Sequence, residues 1–308
     1  MSPSQNVSLL FFLHFLALIV FAQQTAEAKR LAEKEITKKN SSISAFFVFG
    51  DSTVDAGNNN YIQTISRSNF PPYGKDLPDH IATGRFTNGK LVTDFLSSYA
   101  GIKDLIPPYL DPTLTVDDLE TGGAGELVTA GGEDEEVGGA AAFGGEGAAA
   151  AVGRRALLKM GAKKIAFVGL PPFGCVPAVI TLNSDNALTH RACIQRFSDV
   201  ARRYNTLLQI KLAALQKKIT PAANVLYIDI YNPIDRMVRN PQQFGFENVN
   251  LGCCGSGMVE FSVLCNSYSS VCSDDSKYLF WDSIHPTQAA YYSVYLGLRP
   301  VIDRFMKD

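Results

Sequence analysis

The sequence has no excess of positive charge. Its 28 Lys and Arg residues face 30 Asp and Glu, leaving a formal charge of −2. The densest basic stretch, Lys29 to Lys39, is interrupted by Glu33 and Glu35. With no basic stripe interleaved with aromatics, no nucleic-acid partner is expected. No C-x-x-C pair occurs, and the adjacent Cys253-Cys254 has a poor chelating geometry, so no metal site is expected. The glycines fit no G-x-G-x-x-G between a strand and a helix, which argues against a nucleotide, and no organic cofactor is expected. No internal repeat is present. Histidine is scarce, 4 in 308 residues, so few imidazoles are available as bases.

Long apolar runs are also missing, apart from Leu9 to Ala22. That run is shorter than a spanning helix needs and is followed by the small-residue pattern Ala26-Glu27-Ala28. Residues 1–28 therefore read as a signal peptide, although its amino-terminal flank has no Lys or Arg. Residues 29–44 are then the leader of a secreted chain with no stable membrane span after cleavage. An even number of cysteines in an exported chain suggests disulfides, here among Cys175, Cys193, Cys253, Cys254, Cys265 and Cys272. Six cysteines allow 15 connectivities. Proximity favours Cys175 with Cys193 and a second group within residues 253–272. Asn40, in Asn40-Ser41-Ser42, is a permissive glycosylation sequon.

One domain is expected over residues 45–308. Ala45 to Phe49 is a continuous apolar run ending at Gly50, as in a strand buried on both faces. After Asn88-Gly89, the spacing of Leu91, Val92, Phe95 and Leu96 predicts a helix. Arg154 to Met160 reads as a short helix, Ile165 to Leu170 as a strand, and Ala187 to Ile219 as a long amphipathic helix with Ile194, Phe197, Val200, Tyr204 and Leu208 on one stripe. Asn224 to Tyr231 and Tyr278 to Trp281 read as further strands, with a terminal helix from Pro286. Strands alternating with helices predict a three-layer α/β/α fold around a mainly parallel sheet. Residues 121–151, dominated by Gly, Ala and Glu, interrupt this order. By composition they form a flexible linker that builds no packed layer.

Two short segments carry the chemistry. Gly50-Asp51-Ser52-Thr53 follows the first strand, and a serine in a sharp turn there holds its hydroxyl at the sheet's carboxyl edge. Taken alone, the triplet is better explained by a helix cap. The second segment, Trp281-Asp282-Ser283-Ile284-His285-Pro286, offers a carboxylate and an imidazole three residues apart. A neutral hydroxyl needs an imidazole to take its proton and a carboxylate to orient that imidazole. Alone, His285 would read as a loop or capping histidine and Asp282 as a turn acid. The alternatives are poor: His14 lies in the signal, His190 in a predicted helix, and His80 has only Asp79 beside it. Ser52, Asp282 and His285 are therefore the expected catalytic residues.

These segments resemble the plant GDSL-type esterases and lipases of the SGNH hydrolase superfamily, with Thr53 where leucine is usual. The likeness includes FVFGDSTVDAGNNN, FPPYGKDLPDHIATGRFTNGKLVTDFL, VGLPPFGCVP, GCCGSGMVEFSVLCN and DSIHPT, and covers residues 45–120 and 154–308. It implies a cofactor-free ester hydrolase acting on small-molecule or lipid esters, with acyl transfer as a variant of the same chemistry. It also implies an oxyanion hole made of the Ser52 N–H, a glycine to which either Gly122 or Gly123 in TGGAG could correspond, and an asparagine in a Gly-x-Asn-Asp block. This chain contains no such block, so the absent Asn sets a competing expectation of an impaired enzyme that keeps at most a binding role.

Overall fold

The computed structural model describes residues 47–115, 118, 124–126, 164–219 and 224–307. The expected signal peptide, the leader with Asn40, Gly123 and the short helix at 154–160 lie outside these residues. In chain order the principal elements are β1 (Phe47–Gly50), α1 (Val92–Tyr99), β2 (Ala124–Glu126), β3 (Lys164–Val168), α2 (Pro177–Asn183) and α3 (Gln195–Gln216). They continue with β4 (Asn224–Ile228), α4 (Tyr231–Arg239), β5 (Asn248–Gly252), β6 (Tyr278–Phe280) and α5 (Gln288–Lys307).

Strands β2-β1-β3-β4 form one parallel sheet, with Val48 opposite both Ala124 and Ala166, and Ala166 opposite Leu226. β1 is thus an interior strand, as its unbroken apolar run requires. Alternation along the strands builds two faces. Val48, Ala166, Val168 and Ile228 are buried with Leu96 of α1, Ile234 and Met237 of α4, and Tyr291, Val294 and Leu298 of α5. Ile165 and Phe167 point the other way, onto Leu208 and Leu212 of α3, with Phe49, Val225 and Tyr227 beside them. At roughly 1.5–3 kcal/mol per fully buried large apolar side chain, these two layers are the main glue of the fold.

Three differences from the sequence reading have physical reasons. The Gly/Ala/Glu stretch does contribute to a layer: Ala124–Glu126 is the edge strand β2, because parallel pairing uses backbone groups and needs no large side chain. Helix α3 begins at Gln195, not Ala187, because the Asn186 side chain accepts the N–H groups of Leu188 and Thr189 and turns the chain, while Ile194 N–H is held by Gly174 O at 2.8 Å. Its buried stripe runs through Ala201, Leu208 and Leu212, and Val200 faces solvent. Pro286 precedes α5 instead of opening it, pairing with Phe280 as an isolated bridge, and Thr287 caps the helix by accepting Ala290 N–H at 3.2 Å.

A second, two-stranded parallel sheet, β5-β6, carries the carboxyl-terminal chemistry. Disulfides Cys253–Cys272 and Cys254–Cys265 close the loop between these strands, and Cys175–Cys193 ties the turn before α2 to the start of α3. No helix among the described residues is long and apolar enough to cross a membrane.

Candidate active site

At the carboxyl end of β1 the chain turns within three residues. Asp51 caps a short 3-10 turn, Ser52–Val54, accepting both the backbone N–H and the hydroxyl of Thr53 on one oxygen. Gly50 lets this turn close, since a Cβ there would lie 2.9 Å from the Val54 side chain and 3.3 Å from Val168 Cβ. The next residues are wound around a buried carboxylate. Asp55 Oδ1 accepts Gly57 N–H at 2.9 Å, Asn58 N–H at 2.6 Å and the Asn58 side-chain amide at 2.9 Å. Gly57, at φ 125°, takes a conformation that side-chain-bearing residues avoid. Arg85 braces the same loop from behind. Its guanidinium reaches Ala56 O and Ile106 O and makes a bidentate pair with Asp94 of α1 at 2.8 and 2.7 Å. Ser52 is left half-buried at the end of this braced loop.

The other half is a turn of five residues after β6. Trp281 N–H donates to His285 O at 2.7 Å, closing the turn, and Asp282 Oδ1 accepts the N–H groups of Ile284 and His285 at 2.8 and 2.7 Å. Cys253 and Cys254 donate their N–H groups to Phe280 O and Trp281 O, so the disulfide loop is stitched to the turn's first strand. Gly252 makes that approach possible, as a Cβ there would sit 2.5 Å from the Asp282 carbonyl. On the far side Ser283 N–H is held by Glu260 O and Ser283 O by Ala178 N–H.

The two halves meet at one hydrogen bond. His285 Nε2 lies 2.9 Å from Ser52 Oγ, and His285 Nδ1 lies 2.9 and 2.8 Å from the two oxygens of Asp282. A carboxylate only accepts, so Nδ1 carries the ring proton and Nε2 accepts from the Ser52 hydroxyl. Asp282 and His285 are essentially fully buried, which strengthens these interactions. Phe86 stacks on the imidazole with ring centroids 4.8 Å apart. The Tyr73 hydroxyl donates to Asp282 Oδ2 at 2.7 Å. The three residues singled out from sequence are thus brought into one hydrogen-bonded series. Tyr73, Phe86, Arg85 and Gly252 had no assigned role in the sequence reading. Tyr73, Arg85 and Phe86 lie in the aromatic and glycine-rich FPPYG and GRFTNG segments, whose density of turn residues was their available signal.

This arrangement has relatives. A GDSL esterase/lipase of Arabidopsis thaliana is 41% identical over 337 aligned positions, covering 89% of this chain and 90% of the relative. The chain belongs to the GDSL lipase/acylhydrolase family. Two further Arabidopsis thaliana GDSL esterase/lipases are similar at 35% and 34% identity, covering 81% and 82% of the chain and 87% and 88% of their own lengths. The model of GDSL-like lipases and acylhydrolases matches residues 147–295, which include Asp282 and His285, and Ser52 falls within the part of the chain before that match. The alignment to the first relative is longer than the 308 residues of this GDSL chain, so that relative carries residues that this one lacks. The family is one of carboxylic ester hydrolases, and this chain is one by membership.

Proposed function

We propose that this GDSL chain is an exported serine esterase in which Ser52 is the nucleophile, His285 the general base and acid, and Asp282 the group that orients the imidazole. The observation that carries this reading is the 2.9 Å contact of His285 Nε2 with Ser52 Oγ while Nδ1 sits on Asp282. Ser52 Oγ attacks the ester carbonyl as its proton passes to Nε2, forming a tetrahedral oxyanion. Collapse expels the alcohol, which takes the proton back from Nε2, and leaves an acyl-Ser52 ester. Water, deprotonated by Nε2, then attacks the acyl group, and the acid departs as Ser52 regains its proton. The first N–H groups of a turn have no acceptor within it, so the Ser52 N–H is suited to the oxyanion, with Gly123 as a second donor.

Purified protein assayed on p-nitrophenyl butyrate tests the reading. Ser52→Ala should lower turnover by about 10⁴-fold or more. A variant as fast as a parent that hydrolyses well above the uncatalysed rate would remove Ser52 from the mechanism. Adding a competing alcohol and analysing products separates hydrolysis from acyl transfer. Export is supported by the apolar run Leu9 to Ala22 within the signal segment 1–28 and by three disulfides, which persist in oxidising compartments. Amino-terminal sequencing of protein from culture medium should find a chain beginning at Lys29.

One observation favours a second reading. The sequence has no Gly-x-Asn-Asp, and loss of a single oxyanion donor lowers turnover by about 10²–10³-fold. If neither the parent nor Ser52→Ala exceeds the uncatalysed rate, the chain is a binding protein built on an esterase frame.

A further inference from the structure

Tyr73 lies between β1 and α1, is 1% exposed, and meets Asp282 across 209 residues of sequence. Its ring stands edge-on to Phe70, Phe86 and Trp281, with centroids 5.9, 6.3 and 6.4 Å away, so the hydroxyl is fixed in place. The hydroxyl accepts Ser262 N–H at 2.8 Å, which occupies its lone pair and directs its hydrogen to Asp282 Oδ2. Ser262 is itself held at φ 49°, with its side chain bonded to Ile65 O, Arg67 O and Arg67 N–H. Every other donor to the Asp282 carboxylate among the described residues comes from its own turn: the N–H groups of Ile284 and His285, and His285 Nδ1.

We infer that Tyr73 is a positioning residue for proton transfer: it anchors Asp282 Oδ2 from outside the turn and withdraws charge from the carboxylate, setting how strongly Asp282 stabilises the His285 imidazolium. This rests on the triad reading above. Burial, and then the charge of Asp282, push the Tyr73 phenol far above its ordinary value, so it remains a donor throughout the working range. The other ionisable groups near the pair are Tyr291 of α5, Asp51 and Lys75. Burial, reinforced by Asp51 and Asp282, keeps the Tyr291 phenol neutral, and the Lys75 ammonium lies 5.9 Å from the Trp281 ring centroid.

The test compares parent protein, Tyr73→Phe and 3,5-difluorotyrosine installed at position 73. It reads the chemical shift of the His285 Nδ1–H proton by NMR, alongside kcat and KM on p-nitrophenyl butyrate. Removing the hydroxyl leaves more charge on Asp282, which should strengthen the Nδ1–H hydrogen bond and move its signal downfield, with kcat changing severalfold at constant KM. The more acidic difluorophenol donates more strongly and should move the signal upfield. It retains ring and hydroxyl, so it decides the matter if Tyr73→Phe misfolds. A lower melting temperature with an unmoved Nδ1–H signal in both proteins would reduce Tyr73 to a packing residue and overturn the inference. The NMR readout holds whether turnover is fast or slow. A Ser52→Ala protein as active as a parent that hydrolyses well above the uncatalysed rate instead defeats the triad reading.

Discussion

Phe86 lies against His285 with its ring plane 27° from parallel and its centroid 4.8 Å from that of the imidazole. One face of the imidazole is therefore walled by an apolar ring, and the ring nitrogens keep only the directions that lead to Ser52 and Asp282. Phe86→Leu, which keeps most of the volume but not the flat face, is expected to lower kcat about tenfold through loss of alignment. Stopped-flow acylation rates check this. An unchanged rate would show that the hydrogen bonds alone orient the imidazole.

Arg85 and Asp94 form a salt bridge that is nearly inaccessible to water, with side chains 3% and 0% exposed. Removing one partner leaves a buried charge uncompensated and should cost about 3–5 kcal/mol. Asp94→Leu also loses the acceptor that caps α1 through Leu91 N–H at 2.9 Å. Urea unfolding should place Arg85→Leu/Asp94→Leu closer to the parent than either single replacement. Strict additivity of the two single effects would contradict this account.

The disulfides should differ in their effect on catalysis. Each closes a loop of 11 to 19 residues, worth about 3 kcal/mol in chain entropy. Only Cys253–Cys272 and Cys254–Cys265 hold residues whose N–H groups bind the strand and turn leading to Asp282. Cys254→Ser/Cys265→Ser is expected to lose activity well below its unfolding temperature. Cys175→Ser/Cys193→Ser should lower the melting temperature while sparing activity in the folded range. Equal activity losses in both pairs at low temperature would argue against a special role for the β5–β6 loop.

Glu260 gives the fold a pH dependence in the acid range. Burial raises its carboxyl pKa, but hydrogen bonds from Ser256 N–H, the Ser256 hydroxyl and Val259 N–H outweigh burial and leave it below the ordinary glutamate value. A depressed folded-state pKa means stability present above the unfolded value, about 4.3. That stability is lost as pH falls through the lower folded value. The unfolding free energy of the parent should therefore exceed that of Glu260→Gln at pH 7, and the gap should close below pH 4. A gap of the same size at both pH values would exclude this linkage.

Much of the site was legible because its chemistry sits in local spacings. Asp282 and His285 share one turn, and Ser52 follows a strand whose apolar run marks it as interior. Tyr73, Phe86 and Arg85 were not legible in the same way. Their partners are fixed by tertiary packing, Tyr73 across 209 residues, and no periodicity encodes such a contact. The start of α3 was misplaced because composition cannot reveal that Asn186 turns the chain and that Ile194 N–H is already held by Gly174 O. β2 was hidden for the opposite reason: backbone pairing carries no side-chain signature.

In the sequence Ser52 precedes β2 and His285 follows β3, while β1 joins β3 directly in the sheet. Cut between those strands, the gene would encode two separately inert pieces. Hydrolysis would then report their reunion, because Ser52 and His285 would lie on different pieces and meet only when the pieces re-dock. A frame of this kind is a natural split reporter, with sheet closure as its signal.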